Sequence, residues 1–376
     1  MFPHGTPFTH PQTPAAKCLH LIRLNPVMTR AELIEQTGLS QPTITRAVAA
    51  LIEAGLVAER PDLTHAKGRG RPTVPVELAQ TGWAHAGIAV GTTTTVIGIY
   101  DTSGRALRTA ETSIPIATMT ELDFSEHLAA ALNRITTGLN RRLVSVGVTT
   151  SGTVDSSGVV TAPNLGWDNA DIASRLRYHF SVPVVVASAI PAIVGSETQA
   201  AKNIQPAPTL TLFADDSVGA ALSDIHSVRQ ISPLPAATPG STRPELALTT
   251  SATLKLLDAH GHAASSLAEA ISAAENNPKA RAVLDDRARL LGQLCIALVQ
   301  QHSPETVVIA GSAFAEDSRA PKIFASTVRK AAHDAGVTAP HLRMIPNHSE
   351  IVRAITRAAA LDLVLRLPLE LAKSLR

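Results

Sequence analysis

Cysteine is nearly absent, with Cys18 and Cys295 the only two among 376 residues. That excludes a disulfide framework and a cysteine-rich zinc site, and it suits a reducing cytoplasm. Net charge is slight, at +2, so no global basic field drives the chain onto nucleic acid, and any DNA affinity has to come from a local patch, which the Arg and Lys residues between Arg60 and Arg71 supply. Long apolar runs are missing as well. Polar residues interrupt them well short of a membrane span, and no cationic start precedes an apolar stretch as in a signal peptide. What is present, 45% hydrophobic and 17% charged residues, is the balance of a soluble globular chain long enough for two or three domains.

Residues 1–14, rich in Pro, Thr and His, read as a disordered tail, with His4 and His10 solvated rather than metal-bound. Residues 15–80 read as a winged helix-turn-helix. Cys18 to Leu24 suggests a first helix with Leu21, Ile22 and Leu24 inward. Thr29-Arg-Ala-Glu32 is a capping box opening a short second helix, and Gly38 allows a tight turn. From Gln41, apolar residues at Ile44, Ala47, Val48, Leu51 and Ile52 repeat at helical spacing. Ser40 is placed as the N-cap, Pro42 sits in the first turn, and Gly55 ends the helix. The opposite face carries Gln41, Thr43, Thr45 and Arg46, groups suited to base edges and phosphates. Beyond Val57, a loop with Lys67, Arg69 and Arg71 before Val74–Leu78 reads as a basic-tipped wing. Any small three-helix unit has caps and an amphipathic face; the ordered set with the basic tip selects DNA binding through Ser40, Gln41, Pro42, Thr43, Thr45, Arg46, Lys67, Arg69 and Arg71. Arg69-Gly-Arg-Pro72 resembles an AT-hook core that enters an A/T-rich minor groove, while a flexible basic linker touching only phosphates fits the same residues.

Residues 81–376 alternate strands and helices. Apolar or β-branched strands are expected over 85–90, 95–100, 143–149, 182–187, 209–213, 219–224, 227–231, 306–310 and 341–345. Helices are expected over 121–141, after 187 to about 202, and over 251–258, 265–274, 279–301, 322–335 and 350 to about 367. Leu122, Phe124, Leu128, Ala131, Leu132 and Ile135 share one face of the first of these. This is an α/β chain compatible with a doubled lobe.

The residues resemble the ROK family (repressor, open reading frame, kinase), from about Lys17 to the C-terminus. Gly70-Arg-Pro72 after the winged helix is similar to its regulator branch, and Gly87-Ile-Ala-Val-Gly-Thr-Thr looks like its first phosphate loop. Gly147-Val-Thr-Thr-Ser-Gly-Thr-Val-Asp155 looks like its sugar-site loop, and Pro163-Asn-Leu-Gly-Trp167 is the most specific match. Val184 to Glu197 and Val307 to Gly311 fall where its catalytic and adenosine-side segments lie. The resemblance implies an actin-like, ribonuclease-H-like (ASKHA) two-lobe domain with a ligand cleft, commonly a homodimer or tetramer.

Departures from that pattern remove chemistry. Where the kinases hold the proton-accepting aspartate stands Ala189, and Ala89 replaces the metal-assisting aspartate of the first phosphate loop. The second phosphate loop reads Ala214-Asp-Asp-Ser-Val-Gly219, and two carboxylates repel a triphosphate. Between Ser232 and Thr250 there is no Cys and no His, so the family's zinc module is absent. No catalytic residue, metal or cofactor is expected. Ser151, Gly152 and Asn164, with Ser188 and Glu197, are the candidate contacts for a small effector, a sugar or another metabolite; Asn164 and Gly152 serve equally well as turn residues. The expected function is a cytoplasmic, homodimeric DNA-binding transcription regulator of a metabolic regulon, without membrane contact. A constitutive DNA binder with a ligand-free dimerisation domain, a sugar kinase with an attached reader, and a scaffold without DNA binding are the alternatives.

Overall fold

The computed structural model describes residues 6–64, 74–92, 94–113, 116–204, 207–224, 227–237 and 243–376. It divides into two compact units. The first runs to Pro206 and takes in Ile225–Val228 and the chain from Ala354 on; the second holds Ala207–Asp224 and Arg229–Arg353.

The first unit opens with α1 (Pro14–Leu24), α2 (Arg30–Thr37) and α3 (Gln41–Glu53), followed by β1 (Val57–Glu59) and β2 (Val76–Leu78). The capping box forms as expected, Thr29 and Glu32 satisfying each other's backbone N–H. Strands β1 and β2 pair antiparallel, and Met28 joins β2 through two backbone hydrogen bonds. This is helix, helix, helix and wing, the winged helix-turn-helix order. Ser40 occupies the N-cap of α3 without bonding the backbone there; its hydroxyl meets that of Thr43 at 2.9 Å instead.

The tail differs from expectation. From residue 6 it is described, and Phe8 is only 2% exposed. Phe8 sits at φ 65°, a left-handed backbone that bulky residues rarely adopt, and its N–H donates to Asp362 Oδ1 at 2.6 Å. A Cβ added to Gly195 would lie 2.5 Å from Phe8, so only glycine lets the ring sit there. A single aromatic with partners far along the chain carries no local periodicity, and composition alone missed it.

The first sheet comprises β3 (Trp83–Val90), β4 (Thr94–Tyr100), β5 (Ala106–Ser113), β6 (Arg142–Thr150) and β10 (Val184–Ser188). Between them come α4 (Glu121–Thr136), the small antiparallel sheet β7 (Thr153–Val154), β8 (Val160–Ala162) and β9 (Trp167–Ala170), and α5 (Ile172–His179). Helix α6 (Ala189–Ala200) follows β10 directly. The amphipathic reading of α4 holds except at Leu122, which is 50% exposed, and the helix ends five residues short of Arg141, where Gly138 turns the chain.

The second unit contains β11 (Thr209–Ala214), β12 (Val218–Ser223) and β13 (Val228–Ile231), then α7 (Pro244–Ala247), α8 (Thr250–Ala259), α9 (Leu267–Ala274) and α10 (Pro278–His302). It closes with β14 (Thr306–Ala310), α11 (Ser312–Ala315), α12 (Ala320–Asp334) and β15 (His341–Met344). Helix α13 (His348–Arg366) runs on into the first unit, and α14 (Pro368–Ser374) ends the chain's ordered elements.

Strand orders are the same in both sheets: β10-β6-β3-β4-β5 and β15-β14-β11-β12-β13. In the first, β3, β4 and β5 form an antiparallel meander while β6 and β10 run parallel to β3. In the second, β12 is antiparallel to β11 while β14 and β15 run parallel to it. A doubled sheet of this order is the actin-like, ribonuclease-H-like architecture that the resemblance implied.

Helix α13 comes down onto the first sheet where two glycines face it, for a Cβ on Gly87 would lie 1.8 Å from Thr356 O and one on Gly147 2.0 Å from Ala359 O. Its later residues Leu361, Leu363, Val364 and Leu365, with Leu371 of α14, join Leu19, Ile22, Ile44, Val48 and Leu51 in one apolar cluster. The winged helix therefore shares its core with the end of the chain, which completes it.

Candidate nucleic-acid interface and effector loop

Helix α3 separates its faces as its sequence spacing demands. Ile44, Ala47, Val48 and Leu51 are buried and Ile52 half-buried, while Ser40, Gln41, Pro42, Thr45 and Arg46 are exposed and Thr43 lies between. Among the described residues Arg46 pairs with no carboxylate; its Nε makes only a long 3.4 Å hydrogen bond to Pro42 O. An unpaired guanidinium beside short hydroxyl and amide groups, at the exposed start of a helix held by its opposite face, can meet phosphates and base edges at once.

The base of the wing is not free charge. Arg60 is bound by both Asp62 and Glu77 at 2.6 Å, and Arg30 by Glu59 at 2.7 Å and the Val74 carbonyl. Arg60, counted in the sequence as part of the basic patch, is thus neutralised, which sequence distance concealed because Glu77 lies on the partner strand. Lys67, Arg69 and Arg71 lie outside the described residues.

Four of the five candidate effector contacts come together. Ser151 Oγ donates to Asn164 Oδ1 at 3.0 Å, and Ser188 Oγ donates to the Gly152 carbonyl at 2.8 Å. Gly152 has φ 81°, and a Cβ there would lie 2.2 Å from Thr161 O, so the turn requires glycine. Both hydroxyl donors are engaged within the loop, whereas the Asn164 amide nitrogen makes no hydrogen bond among the described residues. Nearby, Trp167 packs edge-on against Phe124 at 5.0 Å, and among the described residues its Nε1 and the Thr150 hydroxyl are buried without a hydrogen-bond partner. Neither had been singled out from sequence, where Trp167 served only as the end of a motif. Glu197 stands apart, nine residues beyond Ser188, roughly 13 Å at the rise of a helix.

The positions where the resemblance misses carboxylates are apolar here: Ala189 opens α6, and Ala89 is 5% exposed within β3. In the second unit, Asp215 turns its carboxylate inward. It accepts from Ser312 N at 3.2 Å and Ser312 Oγ at 2.7 Å, stands 3.7 Å from His348 Nδ1, and takes the N–H of Asp216 at 2.9 Å. Burial pushes this carboxyl up, but the hydrogen bonds from His348 and Ser312 outweigh it and hold the group below its ordinary value. Burial, then the Asp215 charge, raises both Asp216 and Glu316. The hydrogen bond that His348 donates to Asp215 raises His348 above an ordinary histidine. A turn that supplies its own anion to the N–H and hydroxyl of Ser312 offers a phosphate repulsion in place of a cradle.

The His348–Asp215 pair works in a bounded pH window. His348 contributes below its unfolded value of about 6.5 and loses its contribution as pH rises through its folded value; Asp215 contributes above about 3.8 and loses its contribution as pH falls through its folded value. His348→Asn should therefore flatten the alkaline side and also shrink the acid side, because His348 is among the groups that hold Asp215 low, and proton NMR of the wild-type ring should give a midpoint above 6.5. A midpoint at or below 6.5 would show the pair to be unformed.

Among the described residues, no group of three or more His, Cys, Asp or Glu is placed to hold a metal ion, and no helix is long and apolar enough to cross a membrane. Cys18 and Cys295 are buried and unpaired, their thiols pushed up to about 12 by burial.

Comparison with known proteins places these parts. Residues 85–213 match the ROK family model and residues 12–68 the MarR family model. A protein named as a transcriptional regulator in Mycobacterium tuberculosis is 32% identical over 338 residues, covering 80% of this chain and 75% of its own length. A protein of Sinorhizobium fredii, uncharacterised by name, is 26% identical over 215 residues, 54% of this chain and 53% of its own. Among solved structures, a ROK family transcriptional regulator described as a homologue of the Escherichia coli MLC protein superposes with a TM-score of 0.73 at 18% identity, over 96% of this chain and all 100% of that one. A ROK hexokinase from Thermus thermophilus superposes with a TM-score of 0.63 at 20% identity, over 74% and 97%. At these identities the two structures speak to the fold alone.

Proposed function

The chain belongs to the ROK family and carries a MarR-like winged helix-turn-helix ahead of the ROK body, and from this we propose that it is a DNA-binding transcription regulator in which residues 15–80 read the duplex and residues 81–376 answer to a small effector. The observation that carries the reading is the exposed start of α3, with Gln41, Thr45 and an unpaired Arg46 on one edge. Two such helices, one from each protomer of a homodimer, would enter successive major grooves about one helical turn apart. Ser40, Pro42 and Thr43 lie at the contact edge, and the cations Lys67, Arg69 and Arg71 would add phosphate contacts. The protein would act in the cytoplasm, beside its DNA.

The effector would rest on Ser151, Gly152, Asn164 and Ser188, with the Asn164 amide as the free donor. Glu197, so far along α6, is assigned no part in it. One observation favours a second reading, a constitutive binder: the hydroxyls of Ser151 and Ser188 are already satisfied within the loop. Phosphoryl transfer is not proposed, because alanine at position 189 accepts no proton and the Asp215 carboxylate fills the turn a phosphate would need.

Binding of the full chain to duplexes recovered from genomic fragments tests the reading. Arg46→Ala should weaken the best duplex by roughly 1–3 kcal/mol and relax base preference at one position. Equal weakening on every duplex would make Arg46 a phosphate contact, and no salt-dependent binding by the wild type would end the proposal. Calorimetric screening of metabolites then separates an effector-controlled regulator from a constitutive one.

A further inference from the structure

We propose that α6 is the rod that couples the loop of Ser151, Gly152 and Asn164 to the DNA-reading unit, with His20 and Arg23 of α1 as the positioning contacts at its far end. This rests on the effector reading above and describes how that site would be regulated. At 12 residues α6 spans about 18 Å. Its first end is fixed to the loop, since Ser188, the residue before it, donates to the Gly152 carbonyl at 2.8 Å.

Its other end meets α1. The last carbonyls of a helix have no partner within it, and here α1 supplies them. His20 Nε2–H donates to Ala201 O at 2.8 Å, and the Arg23 guanidinium donates to Gln199 O. Midway, Gly195 carries the ring of Phe8, and Gln199 Nε2 donates to Ala358 O of α13 at 3.0 Å. Helix α1 in turn shares the apolar cluster of Leu19, Ile22, Ile44 and Val48 with α3.

These contacts do not slide. His20 is 2% exposed, and burial lowers it to about 4, so the ring is neutral with one N–H to give. Arg23 is a half-buried cation held by carbonyls, its Nε is sealed from water without a partner, and among the described residues it has no carboxylate partner. Any shift of α1 along α6 strands a donor or a charge, which makes the joint step between discrete arrangements instead of yielding smoothly. A displacement of Ser188 by an effector therefore moves α1, and α3 with it.

Coupling is reciprocal, so DNA can serve as the probe where the effector is unidentified. A duplex is selected from a random library by the full chain, and amide hydrogen exchange of the full chain is followed with and without it. Exchange over residues 150–166 should change by roughly fivefold or more on DNA binding. In His20→Leu and Arg23→Met that change should fall by at least half, while His20→Gln, which keeps an N–H donor, restores it. Arg23→Lys, which keeps the charge and loses the forked donor, reads the same link if an apolar variant fails to melt cooperatively. A wild-type loop indifferent to bound DNA, or a response undiminished in these variants, overturns the coupling while leaving DNA reading intact. If no duplex is recovered, the DNA reading falls and the coupling with it.

Discussion

Lowering the pH from about 7.5 to about 4.5 should remove much of the protein's stability before most carboxylates protonate, and two histidines are the reason. His85 is fully buried between β6 and the turn after β4, with Nδ1 2.8 Å from Ser145 Oγ and Nε2 3.3 Å from Thr102 Oγ1. His20 is nearly as buried beneath the end of α6. Burial dominates both, lowering each from 6.5 to about 4, with the Asp101 charge opposing it at His85 and the Ala201 carbonyl opposing it at His20. Above about 6.5 both states of the chain leave these rings neutral. Between 6.5 and 4 the unfolded chain binds protons that the folded chain refuses, so stability falls with pH across that window. A shift of this size corresponds to on the order of 3 kcal/mol per histidine. Two such groups weigh heavily against a typical total of about 5–15 kcal/mol. Urea unfolding at stepped pH should show the loss in the wild type, with His20→Gln and His85→Gln each removing part of the slope. Equal stability at about pH 7.5 and pH 5 would mean that neither ring is sealed from water.

The order of elements was legible because it rests on local pattern. The 3.6-residue spacing of Ile44, Val48 and Leu51 and the β-branched run of Thr95–Tyr100 each announce an element within a few residues. What escaped depends on pairing across the chain. Strands β7, β8 and β9 have two to four residues each, too short for any period, and form only because they meet each other. Phe8 finds Asp362 across 354 positions. The same holds at the site. Ser151, Gly152, Asn164 and Ser188 could be named from motif resemblance, but their mutual hydrogen bonds, which leave Asn164 as the free donor, are a property of the folded loop. The charge reading erred likewise at Arg60, whose neutralising partner Glu77 stands across the wing.

Gly147→Ala should be among the most damaging single changes in the first unit. In the motif reading Gly87 and Gly147 belong to loops around phosphate and sugar, yet both lie inside strands and are register partners of β3 and β6. Each lacks a side chain because α13 presses there: a Cβ on Gly147 would stand 2.0 Å from Ala359 O and 2.4 Å from Ala359 C. Those are backbone atoms of a 19-residue helix, which cannot rotate aside as a flexible side chain would. Accommodation means lifting α13, and with it Leu361 and Val364, out of the cluster that completes the DNA-reading unit. A loss of more than about 4 kcal/mol is expected, with Gly87→Ala similar. Gly82→Ala is the control, since nothing lies within 4 Å of a Cβ there, and a surface change of that kind stays within about 0.5 kcal/mol. Urea midpoints of the three variants decide it. If Gly147→Ala unfolds with the wild type, α13 does not lie on the sheet, and DNA reading loses its support from the body. If it unfolds early, the glycines need no phosphate to explain them, because helix packing alone demands them.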